Sequence, residues 1–269
     1  MKPASTSIGP SAHGFRVDLT GRTALVTGAS SGIGRRFAVI LAENGANVVI
    51  GARRHGLLEE LKISIEASGG KALAVTLDVS DENSIIAAYD DASRHFGAVD
   101  TVIANAGVIV SGSPLKMSAA DFDRIMAVNL RGVFLTAREG ARRMAVPGAA
   151  AACRGRILII SSITADRPYQ GISAYSASKA AVVQLGRVLA KDCARKGINV
   201  NTICPGFIET ELTDELWDTE FGRELLESFP RKRVMSPEAL DGLLLYLSSD
   251  WSAEITGSVF TIDDGQSLA

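Results

Sequence analysis

The chain is 269 residues long, 46% hydrophobic and 22% charged, with 28 Lys+Arg against 30 Asp+Glu for a net charge of -2. These proportions exclude a disordered or fibrous chain, and the near-neutral balance lacks the basic surplus with which a nucleic-acid binder grips phosphate. No apolar run approaches the ~20 residues that cross a bilayer, so neither nucleic acid nor membrane is expected as a partner. Residues 1–17, rich in Pro, Ser and Gly and without the apolar core of a secretory signal, read as a flexible extension, which leaves the cytoplasm as the expected location. A single domain over 18–269 follows, since no later change in composition suggests a linker.

From residue 20 onward short apolar runs alternate with longer amphipathic stretches. Residues 23–27 (TALVT), 47–50 (NVVI), 72–77, 100–104 (DTVIA), 157–160 (ILII), 199–203 and 258–262 read as strands, and 35–44, 57–67 and 85–96 carry helical periodicity between the first four. Near-continuous apolar strands separated by helix-length segments predict a parallel sheet covered by helices on both faces; right-handed crossovers make it a doubly wound α/β fold. Ligands in such a sheet lie beyond the carboxyl ends of the strands, so the residues just after each apolar run carry the chemistry. Cys153, Cys193 and Cys204 show no C-x-x-C spacing and read as reduced thiols in small apolar sites, with no metal site expected.

The first run opens into Thr27-Gly28-Ala29-Ser30-Ser31-Gly32-Ile33-Gly34, and a helix begins inside this loop. Glycines there allow a tight turn and a close backbone approach, and the helix N-terminus offers free amides to a phosphate. The spacing differs from the common G-x-G-x-x-G fingerprint, so the position between strand and helix carries the nucleotide reading. At the end of the second run an NAD site presents an acid to the ribose hydroxyls. Here Arg53-Arg54 stand instead, and a guanidinium holds the 2′-phosphate that a carboxylate repels, so NADP(H) is favoured over NAD(H). The plainer alternative is that both arginines only open a solvated helix. Asp78-Val79 and Asn105-Ala106-Gly107 follow the third and fourth runs, where a cofactor lying across the strand ends would touch them.

After the fifth run comes Ser161-Ser162, and then Tyr175-Ser176-Ala177-Ser178-Lys179, which places Tyr175 and Lys179 on one helical face. A phenol is a poor base at neutral pH, but a nearby ammonium and an oxidised nicotinamide would favour its ionised form. Tyr175 could then pass a proton to or from the oxygen of a ketone or alcohol, with Ser162 bonding the same oxygen.

Taken in order, TGASSGIG, LDVSD, NAG at 105–107, Asn129 within MAVNLRGVF, the Ser162/Tyr175/Lys179 set and PGFIET at 205–210 resemble the short-chain dehydrogenase/reductase family, in its 3-oxoacyl-reductase-like branch. The resemblance runs from about residue 19 to residue 267 and implies a Rossmann fold. It implies Tyr175 as general acid/base, Ser162 as the orienting hydroxyl and Lys179 as the group that holds the nicotinamide ribose. It implies Asn129 as the anchor of a water leading from Lys179 to solvent; by itself, Asn129 reads as a helix-interior amide at a kink. Gly28, Ser30, Ile33, Asp78, Val79, Asn105 and Ala106 match dinucleotide-contacting positions. Pro205-Gly206 resembles the turn beneath the nicotinamide, with Ile208 and Thr210 at its carboxamide. Ser31 stands where many NADP-dependent relatives carry an arginine, so Arg53 is expected to hold the phosphate with Arg54 assisting. Residues 147–154 look like a lengthened surface connection, and the family's usual tetramer makes a homotetramer the expected assembly.

Residues 211–233 would close the site, and Trp217, Phe221, Leu225 and Phe229 recur in them near helical spacing. That stripe is either a lid laying Trp217 and Phe221 over a substrate or a face packing the helix on the domain. Arg231-Lys232-Arg233 could draw an acidic substrate, or be a solvated charge run. Asp166, Tyr169 and Gln170 are further pocket candidates. The expected function is ketone–alcohol oxidoreduction on a small molecule. A lyase or epimerase using NAD as a hydride store is the alternative within catalysis, and a nucleotide-sensing protein the alternative outside it.

Overall fold

The computed structural model describes residues 17–145, 153–211 and 213–268. Most of the extension read at 1–17 and most of the connection read at 147–154 lie outside the described residues. The strands are β1 (Thr23–Thr27), β2 (Asn47–Ala52), β3 (Lys71–Thr76), β4 (Thr101–Ala104), β5 (Gly155–Ile160), β6 (Ile198–Pro205) and β7 (Val259–Ile262). They form one seven-stranded sheet in the order β3-β2-β1-β4-β5-β6-β7. Each neighbouring pair is parallel.

The apolar runs are continuous because the sheet is covered on both sides, and alternate residues of each strand feed two cores. Val26, Val48, Ile50, Ile103, Leu158 and Ile203 face one core with Phe37 and Leu41 of α1 (Gly32–Glu43), Leu58 and Leu61 of α2 (His55–Ala67) and Leu244 of a later helix (Asp241–Ser248). Leu25, Val49, Val102, Ile157, Ile159 and Val200 face the other, with Ile85 and Tyr89 of α3 (Glu82–Phe96) and Val182 and Ala190 of a long helix (Ser173–Cys193). Strand ends run past their apolar runs where pairing continues. Gly51 and Ala52 pair with Val75 and Thr76, and Pro205 pairs with Ile262 at a strand end, where its missing N–H matters least.

Between β4 and β5 the chain forms α4 (Ala119–Met126) and α5 (Val133–Met144), joined by a π-turn over Ala127–Gly132. Gly132 lies so close to the loop after β3 that an added Cβ would sit 2.9 Å from the Val79 carbonyl oxygen. The remaining α-helices among the described residues are α6 (Ser173–Cys193), α7 (Asp214–Trp217), α8 (Glu220–Ser228) and α9 (Asp241–Ser248). Among the described residues no helix is long and apolar enough to cross a membrane. The chain leaves β1 for β2 and β3 on one side and returns to β4 on the other, which opens a crevice beyond the carboxyl ends of β1 and β4.

Candidate active site

A cavity of about 570 Å3 fills that crevice. Its floor is the loop from β1 to α1. Gly28 has φ +70, and a Cβ there would lie 2.9 Å from Ala106 Cα; a Cβ on Gly34 would lie 2.4 Å from the Gly28 carbonyl oxygen. Only glycine fits this packing of loop, helix and the β4 end. Asn105 fastens it: its Nδ2 donates to the Thr27 carbonyl at 2.9 Å, while Thr27 Oγ1 accepts from the Asn105 and Ala106 amides at 3.0 Å. Ser31 precedes α1 without capping it, so the first amides of a twelve-residue helix have no side-chain acceptor there. The cradle therefore fits a dinucleotide pyrophosphate.

At the far end of the crevice, Arg53 is exposed and lines the rim. Arg54 is engaged. Its guanidinium donates to Ser30 Oγ at 3.3 Å and Ser31 Oγ at 2.6 Å, and pairs with Glu211 at 3.4 Å. Arg54 thus brings its charge to the loop position where NADP-dependent relatives were expected to carry an arginine in place of Ser31. Asp78 Oδ1 accepts from the Ser80 amide and hydroxyl, and these bonds, with Arg53 helping, hold its carboxyl below the usual range. Val79, Gly107, Ile33, Pro205, Gly206, Ile208 and Thr210 all line the same cavity.

Ser162, Tyr175 and Lys179 converge at the opposite end of the cavity. Ser162 follows β5 and starts a short turn, its Oγ accepting from the Thr164 amide at 3.2 Å. Tyr175 and Lys179 are one turn apart on α6, and Lys179 Nζ lies 5.5 Å from the centre of the Tyr175 ring. Tyr175 is half-buried; burial pushes the phenol up to about 12, opposed by a hydrogen bond from Ser162. Burial pulls the Lys179 ammonium down to about 8, and its Nζ donates to the Ile160 carbonyl at 2.9 Å. The protein's own groups leave Tyr175 protonated at neutral pH; the phenolate expected from the sequence calls for an oxidised nicotinamide beside it as well as Lys179.

Asn129 lies behind the cavity wall, fully buried in the π-turn. Its Nδ2 donates to the Val108 carbonyl and Ser178 Oγ, and its Oδ1 accepts from the Val108 amide. Gly107 leaves a gap between this amide and Lys179, since a Cβ there would lie 3.5 Å from Lys179 Nζ and 3.6 Å from Asn129 Oδ1.

The closing segment differs from a single striped helix. The chain breaks after α7, and Thr219 caps α8 anew by accepting from the Gly222 amide at 2.9 Å. Leu216, Phe221 and Leu225 line the cavity, whereas Trp217 and Phe229 pack edge-on or tilted against Phe207 behind it. The packing reading thus describes Trp217 and Phe229, while Phe221 stands on the cavity wall. Tyr169 and Gln170 line the cavity and Asp166 does not. The basic cluster is engaged in ion pairs, Arg231 and Arg233 with Asp264 and Lys232 with Glu227. Sequence reasoning missed Gln266, which is buried and clamps the cavity wall. Its Oε1 accepts from the Phe207 amide at 2.6 Å and its Nε2 donates to the Phe207 carbonyl at 3.3 Å. A lone glutamine near the carboxyl end carries no sequence signal for that role.

Comparison with known proteins places this site in context. The model of the short chain dehydrogenase family matches residues 22–220. The oxidoreductase YxbG of Bacillus subtilis (strain 168) is 38% identical over 92% of this chain and 91% of its own. Gluconate 5-dehydrogenase of Gluconobacter oxydans (strain 621H) is 35% identical over 94% of this chain and 97% of its own. A crystal structure of a short-chain type dehydrogenase/reductase from Mycobacterium marinum superposes with a TM-score of 0.87 at 38% identity, over 94% of this chain and 98% of that one. With the sheet order, the glycine cradle and the Ser162–Tyr175–Lys179 cluster all in place, the chain belongs to the short-chain dehydrogenase/reductase family of oxidoreductases.

Proposed function

We propose that this oxidoreductase uses NADP(H) to interconvert a ketone and a secondary alcohol, with Tyr175 as the general acid/base. The observation that carries the reading is convergence in one cavity: a phosphate cradle and two arginines at one end, and Ser162, Tyr175 and Lys179 at the other. Arg53, with Arg54, would hold the 2′-phosphate, the first amides of α1 the pyrophosphate, and Lys179 the nicotinamide ribose. Bound there, the dinucleotide supplies or takes up the hydride.

The chain's own groups handle the oxygen. With its pKa raised to about 12, Tyr175 carries its proton at neutral pH, the form that reduction of a ketone consumes. Ser162 bonds the same oxygen and fixes it within reach. Lys179, held near 8, is still mostly charged at neutral pH and lowers the cost of the phenolate left after transfer. The gap at Gly107 connects Lys179 with Asn129, which supports Asn129 as the anchor of a water that returns the proton.

Replacing Tyr175 by Phe keeps the ring and removes the acid. Turnover of a ketone with NADPH should fall by about 10²–10⁴-fold while nucleotide affinity holds. Retained turnover would remove Tyr175 from the role. The same reading takes the enzyme as a cytoplasmic homotetramer. Phe134 of α5 and Val188 of α6 are 38% and 47% exposed, apolar residues that an interface would cover. Sedimentation equilibrium checks the assembly.

A further inference from the structure

Charge is distributed unevenly along the cavity. Its charged lining residues are Arg53, Arg54, Asp78, Lys179 and Glu211. The first three follow β2 and β3, at the nucleotide end. Glu211 is paired with Arg54, and Lys179 is buried with its Nζ on the Ile160 carbonyl. Around Ser162 and Tyr175 the wall is apolar instead: Ile109 from the loop after β4, Ile163 beside Ser162, Phe207 after β6, and Leu216, Phe221 and Leu225 from α7 and α8. Phe207 is held in place by Tyr169, Trp217 and Phe229, with ring centres 5.3, 5.8 and 5.6 Å away.

The cations on α8 and just after it are already committed. Arg231 and Arg233 pair with Asp264, and Lys232 with Glu227. Arg223 donates to the Asp218 carbonyl. Arg167, between Ser162 and Tyr175, is exposed and outside the cavity lining. A carboxylate against this wall would lose its water and find, among the lining cations there, only Lys179, already bonded to the Ile160 carbonyl, which makes its burial costly.

Building on the ketone–alcohol reading above, we infer that the substrate is an uncharged ketone or secondary alcohol carrying an apolar, ring-sized group, and that carboxylate-bearing analogues are turned away. The gluconate dehydrogenase relative is named for a sugar acid; beyond Lys179 this wall provides no cation for such a group.

The test is a matched pair of substrates, 4-methylcyclohexanone and 4-oxocyclohexanecarboxylate, given to the full-length enzyme with NADPH and with NADH. The methyl ketone should have kcat/KM about a hundredfold above the carboxylate, and gluconate should not be oxidised with either oxidised nucleotide. Leu225→Lys, on the half-buried face of α8, should narrow that ratio at least tenfold by raising turnover of the carboxylate. A ratio below about ten in the wild type, or a preference for the carboxylate, overturns the inference while leaving the reaction intact. If neither ketone is reduced although NADPH binds, the reaction itself is misread and the inference falls with it. Tyr175→Phe run in parallel assigns any turnover to this cavity.

Discussion

Replacing Lys179 by Met tests the electrostatics of the active site through stability alone. Lys179 is 3% exposed, and burial lowers its ammonium pKa from 10.5 to about 8. Between those values the unfolded chain holds a proton that the folded chain has released, so folding stability rises as pH rises through this window. The full shift corresponds to about 3 kcal/mol, of which about 2 kcal/mol is recovered on going from about pH 6.5 to about pH 9.5. Methionine keeps the length of the stem and removes the titration. It also leaves the Ile160 carbonyl without its donor, a cost of about 1–3 kcal/mol that does not depend on pH. Urea unfolding of both proteins without nucleotide should therefore give a stability difference that moves by about 2 kcal/mol in favour of the wild type across that range. Titrations common to both proteins cancel in the difference. Two curves that stay parallel would refute the depressed pKa, and with it the account of how burial tunes this cluster. The variant should also lose ketone turnover at every pH.

Arg53→Ala should weaken NADPH by about 10–100-fold and leave NADH nearly unchanged, since its guanidinium is exposed at the rim. Arg54→Ala should weaken NADPH less, because the bonds to Ser30, Ser31 and Glu211 must first be exchanged; fluorescence titration of both variants decides. Gly34→Ala places a Cβ 2.4 Å from the Gly28 carbonyl oxygen and 2.5 Å from Asn105 Nδ2. Calorimetric titration should find dinucleotide binding lost together with a lowered Tm. Gln266→Ala strips the Phe207 backbone of two bonds, a cost of about 1–3 kcal/mol. It should raise KM for the ketone several-fold at unchanged nucleotide affinity; an equal loss for both ligands would mean the wall is not what Gln266 holds.

The seven strands were legible because burial makes most of their sequences largely apolar, and β3 and β7, only partly buried, still carry short apolar runs. The strand ends were not legible, because Gly51, Ala52 and Pro205 look like loop residues and stay in the sheet only through pairing with a neighbouring strand. Helix α5 escaped notice for a different reason. Its apolar positions Val133, Leu135, Ala137 and Met144 are mixed with the equally buried Thr136, Glu139 and Gly140, which interrupt the stripe in the sequence. Glu139 is tolerated there because Arg142 and Arg143 bond its carboxylate, holding it ionised. In the site, residues just beyond strand ends (Gly28, Arg53, Asp78, Asn105, Ser162) were singled out from position, since the fold fixes where strand ends point, whereas Pro205, within β6, came from the family resemblance. Gln266 and Phe207 were not singled out. Their roles arise from one buried contact between distant parts of the chain, and neither residue type announces it. The break at Thr219 rotates α8 away from the periodicity that α7 begins, so Trp217 takes the packing reading while Phe221 lines the cavity.

The π-turn at Ala127–Gly132 changes what a length mutation means in this protein. An α-helix turns by ~100° per residue, so one extra residue in a single turn offsets everything after it by about that angle. Here that offset lets α4 lie against α6 while α5 addresses β4, β5 and α3. A one-residue deletion between Ala127 and Gly132 would thus act like a frameshift for side chains and a repair for the backbone. The helix would become regular and keep its circular dichroism. Val133, Leu135 and Ala137 would be carried off the sheet, and Asn129 would leave its bonds to Val108 and Ser178.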